Sequence, residues 1–328
     1  MIGLPAVADP GPWAWHPYPV LWAAVTTIGA GVALVHRRLV GASAHPLRWE
    51  RARILRFIGA LVVTVVAMGW PLGDLAAHRS LSALVLQRCI LVLAVAPLLL
   101  TGLPDDVIRW LTRPAPVDRL LLRVLRPPVA VVTVTVLLVG SMAPVLVAAQ
   151  SNLPTVRGLL AVVAVVAGLV LWLPIIGRIP GIARPRPMIR AVYLVAQAVV
   201  PVFLSFIYIL ATRPLYPTLS HSRGVIGLAP LNDQQVAGFV SKLSFLITLL
   251  AVAAAILVRA PDSDDDLGPE DPLVWADVER HFERADRRAP SAAEPGTTPV
   301  PDGTGADGLA TGVPRDVDPE REPEPGTD

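Results

Sequence analysis

The chain has 328 residues, 53% of them hydrophobic and only 16% charged. About a quarter of the residues of a soluble domain are charged, so this composition excludes a water-soluble globular enzyme and leaves lipid to cover much of the surface. The net charge of +2 averages two unlike parts: residues 1–260 hold 22 Arg and Lys against 7 Asp and Glu, and residues 261–328 hold 6 Arg against 19 Asp and Glu.

The opening residues, MIGLPAVADPGPWAWHPYPV, lack the basic start that precedes the apolar core of a secretory signal, so the first apolar run is expected to remain as a span. Seven apolar segments follow, at 18–36, 57–76, 81–103, 129–149, 158–177, 191–212 and 236–258. Each is long enough for a hydrocarbon slab about 30 Å thick. Each is continuous rather than alternating, which predicts helices and not a β-barrel. The expected fold is therefore an all-α bundle of seven transmembrane helices. Gln87 and Arg88 interrupt the third run, which hydropathy alone assigns least firmly.

Arginine placement predicts orientation. The loops after the first, third and fifth runs, with Arg259 after the seventh, carry sixteen arginines (37, 38, 48, 51, 53, 56, 109, 113, 119, 123, 126, 178, 184, 186, 190 and 259). The opposite side has four, at 79, 157, 213 and 223. Positive charge stays inside, so the N-terminus is expected outside and the C-terminus in the cytoplasm. A basic stretch placed this way points to cytoplasmic loops, not to nucleic acid. Leucines alternate with arginines from Pro114 to Arg126, as in a short helix lying in the interface, and Pro127-Pro128 should separate it from the fourth span.

Beyond the membrane domain, 1–260, the composition changes abruptly. Residues 261–288 read as an acidic linker and a short amphipathic helix with Trp275, Val278 and Phe282 on one face. Residues 289–328, rich in Pro, Gly, Thr and acids, read as a disordered tail.

The outer ends of spans two, three, six and seven concentrate the polar residues. Asp74 ends span two, Gln87 and Arg88 lie in span three, and Asp233, Gln234, Gln235 and Lys242 open or enter span seven. Ionisable groups in a span are costly, so function is their default reading. Arg88 and Lys242 lie at similar depth and suggest one outer site for an anionic group on a partner or lipid, with Asp74 and Asp233 as counterions. The plainer reading is that both cations reach back to the outer interface. Asn232 or Asp233 is equally a candidate to cap its own helix. Gln87, Gln197 and Tyr208 are expected to bond between helices.

Several stretches carry a resemblance. Asp233-Gln234-Gln235-Val236-Ala237-Gly238 resembles the Asp-Gln-Gln-x-Ala-Gly signature of the seven-span CtaG-type cytochrome c oxidase assembly family. Ala96 to Pro104 is similar to that family's exit from span three, and Leu171-Trp172-Leu173-Pro174-Ile175 to its Trp-Pro motif in span five. The resemblance covers roughly residues 13 to 260. It implies a bacterial plasma-membrane protein that assists oxidase biogenesis, with oxidase subunits or other assembly factors as partners and copper as the family's metal.

The chain departs from the family where the metal would bind. The span-three Ser-Ala-His-Met-x-Gln-His reads Ser82-Ala83-Leu84-Val85-Leu86-Gln87-Arg88, and the span-four Trp-His-x-Pro reads Ser141-Met142-Ala143-Pro144. Span five begins Arg157-Gly158, without the family's histidine. Leucine offers no ligand atom and a guanidinium stays protonated. His16, His78 and His221 on separate segments, with Met142 and Cys89 deeper, are weak substitutes, so no resident metal is expected. The reading is a nonenzymatic assembly factor that docks a partner at the outer face. A small transporter or channel is the alternative, and a membrane enzyme acting on lipid or quinone ranks third.

Overall fold

A computed structural model of the chain describes residues 17–41, 49–178, 184–216, 219 and 227–260. The expected amphipathic helix and acidic tail, with His16 and His221, lie outside the described residues. The chain divides into two units, and all that follows concerns the first, Met1–Ser263.

Twelve helices and one π-helical turn build it: α1 (Pro19–Gly41), α2 (Arg51–Met68), α3 (Leu72–His78), α4 (Leu81–Ile90), the π turn Leu91–Val95, α5 (Ala96–Gly102), α6 (Asp105–Thr112), α7 (Ala115–Val124), α8 (Pro127–Ser141), α9 (Pro144–Asn152), α10 (Pro154–Ile176), α11 (Pro187–Leu210) and α12 (Pro230–Val258). No strand occurs among the described residues. Among the described residues five helical stretches are long and apolar enough to cross a membrane: α1, Leu81–Gly102, α10, α11 and α12. The number is seven if each of two bent pairs is one span: α2 with α3, at 45°, and α7 with α8, at 95°. The protein is a multi-pass membrane protein.

Proline explains most of the breaks. Each helix from α8 to α12 opens on a proline, where a missing N–H costs nothing because the first turn has no carbonyl to receive it. The right-angled turn between α7 and α8 falls at Pro127-Pro128, as expected. The fourth span is interrupted where the sequence suggested continuity: α8 stops at Ser141, and α9 restarts at Pro144, which disfavours helical backbone at Ala143. The last helix begins at Pro230, six residues before its apolar run.

The apolar exterior fits lipid. Val20, Val258, Phe203 and Ile247 are each more than 60% exposed, a distribution that water would penalise. Inside, Leu81–Gly102 is the central stretch: 61% of its apolar window is buried, against 6% for α1. Small residues set the spacing around it. A Cβ on Gly168 of α10 would lie 2.6 Å from the Ala96 Cβ and 2.9 Å from the Val92 carbonyl, so only glycine permits this approach. One turn later, Trp172 donates its indole N–H to the Val92 carbonyl at 2.9 Å. That carbonyl lies in the π turn, where helical bonding is disturbed, and the indole satisfies it. Gly238 of α12 likewise lies against the Ser205 carbonyl of α11.

A Gly168→Val protein should therefore unfold at lower temperature in detergent, with a loss of about 1–3 kcal/mol. Gly140→Val, at a position with nothing within 4 Å of the added carbon, should stay within about 0.5 kcal/mol. Equal melting temperatures for the two variants would contradict this account of the α10 contact.

Candidate functional site

Three polar groupings stand out, one at each end of the bundle and one between. At the end where α4 and α12 begin, Asp233 is buried. Its carboxylate accepts the Leu81 N–H at 2.6 Å, the Ser82 N–H at 3.4 Å, the Ser80 hydroxyl at 2.8 Å and the Ser82 hydroxyl at 2.5 Å. Ser80 in turn caps α4 by accepting the Ala83 N–H at 3.2 Å. The carboxylate thus sits on the partial positive charge of a helix N-terminus, but the helix is α4 and not its own. Asp233 lies one turn inside α12, whose cap position, Ala229, has no side-chain bond. The expected self-cap is corrected to a cap supplied in trans.

The neighbouring glutamines tie α12 to the end of α11. Gln234 accepts the Leu215 N–H at 2.8 Å and donates to the Tyr208 carbonyl at 3.3 Å, and Gln235 donates to the Ile209 carbonyl at 3.3 Å. These carbonyls lie in the last turn of α11, where no helical donor reaches them. The Tyr208 and Tyr216 hydroxyls are 2.8 Å apart, and Tyr216 donates to the Met142 carbonyl at 2.8 Å, in the break between α8 and α9.

Deeper in the core, Arg88 is 5% exposed and donates from Nη2 to Gln150 Oε1 at 3.0 Å. It lines a cavity with Cys89, Met142, Gln197, Tyr208 and Ser241. Lys242 is not on that cavity. Its ammonium lies 4.9 Å from the centroid of the Phe206 ring, a cation–π contact. The shared site expected of Arg88, Lys242 and Asp233 is thus dispersed over three environments. Consecutive positions on a helix point about 100° apart, so Ser241 faces the cavity while Lys242 faces the α11 flank. Asp74 accepts from the Tyr18 hydroxyl and Asp233 from the start of α4, so neither expected counterion is bonded to Arg88, and His78 meets Arg157 at 3.3 Å. Gln87 donates to the Ala67 carbonyl of α2 at 2.8 Å, an interhelical bond as expected, whereas Gln197 bonds Tyr193 of its own helix at 3.0 Å.

The arginine-rich end holds a network that loop counting does not reveal. Asp105, at the start of α6, receives Arg53 Nη1 at 2.5 Å and is paired with Arg178. Arg178 also donates to the Leu100 carbonyl at 2.6 Å. Beside it, His36 meets Asp106 at 2.8 Å and packs edge-on against Trp49, whose indole donates to the Gly102 carbonyl at 3.0 Å. Burial raises the Asp105 pKa, but the hydrogen bonds and positive charge of Arg53 and Arg178 outweigh it and hold the carboxyl below its ordinary value. This end closes the bundle with paired charges, and Asp106 keeps one buried oxygen, Oδ1, without a partner.

A family model described as cytochrome c oxidase caa3 assembly factor matches residues 28–262. The chain belongs to that family. Membership makes it a cytochrome c oxidase assembly factor. No curated protein and no solved structure matches the chain.

The family motifs now have positions. Asp233-Gln234-Gln235 fastens α12 to α4 and α11, Gly238 sits at the α11 contact, and Trp172 reaches the π turn. Arg88 and Met142 stand where the resembling motifs have histidine, and both line one cavity. Leu84 has no ligand atom and a permanent guanidinium would repel the ion, which leaves the two soft sulfurs of Met142 and Cys89 as the only donors of a kind copper favours on this cavity among the described residues. Among the described residues no three His, Cys, Asp or Glu side chains gather as metal ligands.

Two outcomes follow. Asp233→Asn should cost about 1–3 kcal/mol in thermal unfolding, because an amide cannot serve four donors, and adding Ser82→Ala should cost less than that change alone. Full additivity would show that the contact is not shared. For Asp105, a carboxyl depressed in the folded state contributes stability above its unfolded pKa of about 3.9 and loses it as pH falls through the lower folded value. The melting temperature should therefore drop below about pH 4, and Asp105→Asn should flatten that part of the curve.

Proposed function

We propose that this chain assists oxidase biogenesis by docking an oxidase subunit or assembly partner at the membrane's outer face, and that it does so by binding and not by catalysis. The arginine count places that face at the Asp233 end, with the C-terminus in the cytoplasm of a bacterial cell. The observation that carries the reading is the division of labour at that end. Asp233 and Gln234 are buried and hold backbone, whereas Gln235 and Lys242 are partly exposed beside Phe206, which is 42% exposed. A cation on an aromatic ring at the lipid-facing flank suits a partner helix that brings a carboxylate and an apolar face. Asp74, Gln87 and Arg88 support this surface from within through their bonds to neighbouring segments. The function needs no metal in this chain, since none of the surface residues is a copper ligand.

In a deletion strain the haem–copper absorbance of the oxidase should fall, and the intact chain should restore it. Lys242→Ala combined with Phe206→Ala should reduce both the restoration and the oxidase recovered with the tagged chain, at unchanged membrane level. Full recovery by the double variant would remove this flank as the docking face. The purified protein should hold well under one equivalent of copper after dialysis.

A further inference from the structure

One buried charge in the transmembrane core has no counter-charge. Arg88 lies about 10 Å along α4 from Leu81 at 1.5 Å per residue. Its single side-chain bond is the one from Nη2 to Gln150, and its Nε and Nη1 have no partner. Among the described residues no carboxylate reaches it: Asp233 serves Ser80, Leu81 and Ser82, and Asp74 meets Tyr18. A guanidinium cannot shed its proton to escape this cost, so it requires an anion.

The cavity on which Arg88 lies is the right kind of space. Its volume of about 50 Å³ holds a few waters or the head of one small oxyanion. Val85, Val92, Val134, Leu138 and Phe245 make the walls apolar. Three of the hydroxyls on it are already committed. Thr135 bonds the Val131 carbonyl at 2.7 Å, Ser141 the Leu138 carbonyl at 2.8 Å, and Tyr208 the hydroxyl of Tyr216. Among the described residues Arg88 is the only charged one lining it. Val139 of α8, 39% exposed, and Leu204 of α11, partly exposed, carry the lining to the flank that faces hydrocarbon.

The geometry points to a lipid-binding site in which Arg88 holds the carboxylate or phosphate head of an amphiphile whose apolar chain leaves between α8 and α11. Water satisfies the free N–H groups but not the charge, and an inorganic ion has no apolar part for the aliphatic walls. An amphiphile supplies both and arrives sideways from the bilayer. The site is separate from the Lys242 flank and does not depend on oxidase docking.

The test uses the full-length protein in phosphatidylcholine vesicles, with nitroxide-labelled stearate, phosphatidylglycerol or phosphatidylcholine as probe and electron paramagnetic resonance as readout. Stearate, phosphatidylglycerol or both should show a motionally restricted population beyond that of phosphatidylcholine, and which of them does so identifies the head. Association should fall about tenfold or more in Arg88→Gln, the loss expected for a charge-assisted bond. Val139→Trp, which blocks the flank and leaves the charge, should do the same and carries the test if Arg88→Gln does not fold. Excess inorganic phosphate should displace nothing. Equal restriction of all three probes, undiminished binding in either folded variant, or displacement by inorganic phosphate alone would overturn the assignment.

Discussion

The carboxylate of Asp233 joins residues about 150 positions apart in the chain by accepting the first N–H groups of α4. In hydrocarbon those groups have no water to turn to, and a helix that begins near the membrane must find acceptors within the protein. Placing the acceptor on α12 fixes the last span against the central one in both register and rotation. With that contact set, Ser241 and Phe245 face the Arg88 cavity, and Lys242 is turned away onto Phe206. The separation of an interior site from an exterior flank therefore depends on which helix Asp233 caps.

The same constraint gives physical meaning to the family's motifs. Gln234 and Gln235 reach backbone groups at and after the end of α11, Trp172 reaches a carbonyl in the π turn, and Trp49 reaches the carbonyl of Gly102. Glycines 168, 238 and 102 stand where backbones touch. These are joints of the bundle. Leu84, where the resembling span-three motif has its first histidine, is buried beside them and makes no polar contact that such a joint would need.

Much of the architecture was legible because it is local. Apolar run length identified the spans, and Pro127-Pro128 identified the turn into α8. The break at Met142-Ala143 was missed although Pro144 signalled it, since an apolar run read by hydropathy alone continues through it. The site was less legible because its partners are distant. Nothing in the sequence pairs Arg88 with Gln150, 62 residues away, or Tyr18 with Asp74, 56 residues away. Asp233 beside Asn232 reads locally as a self-cap, and only the start of α12 at Pro230 puts it a turn too deep for that. The estimate of equal depth for Arg88 and Lys242 carried no information about rotation, which decides whether two residues on different helices meet.

The two ends and the core treat charge in different ways, and the contrast marks where binding is to be sought. At the arginine-rich end, Arg53 and Arg178 share Asp105, and Glu50 lies 3.4 Å from Arg53 Nε. At the opposite end, Asp233 is an anion on a helix dipole with hydroxyl donors around it. Both carboxylates, Asp105 and Asp233, are met by donors within the chain. Arg88 has no charged partner among the described residues: it combines deep burial, a neutral amide as its one partner and two unfilled N–H groups, and it lines an apolar cavity. A structural arginine in that position would be cheaper as leucine, because removing an unpaired intramembrane charge stabilises the fold. A charge carried at such a cost is best understood as one half of an interaction whose other half comes from outside the chain.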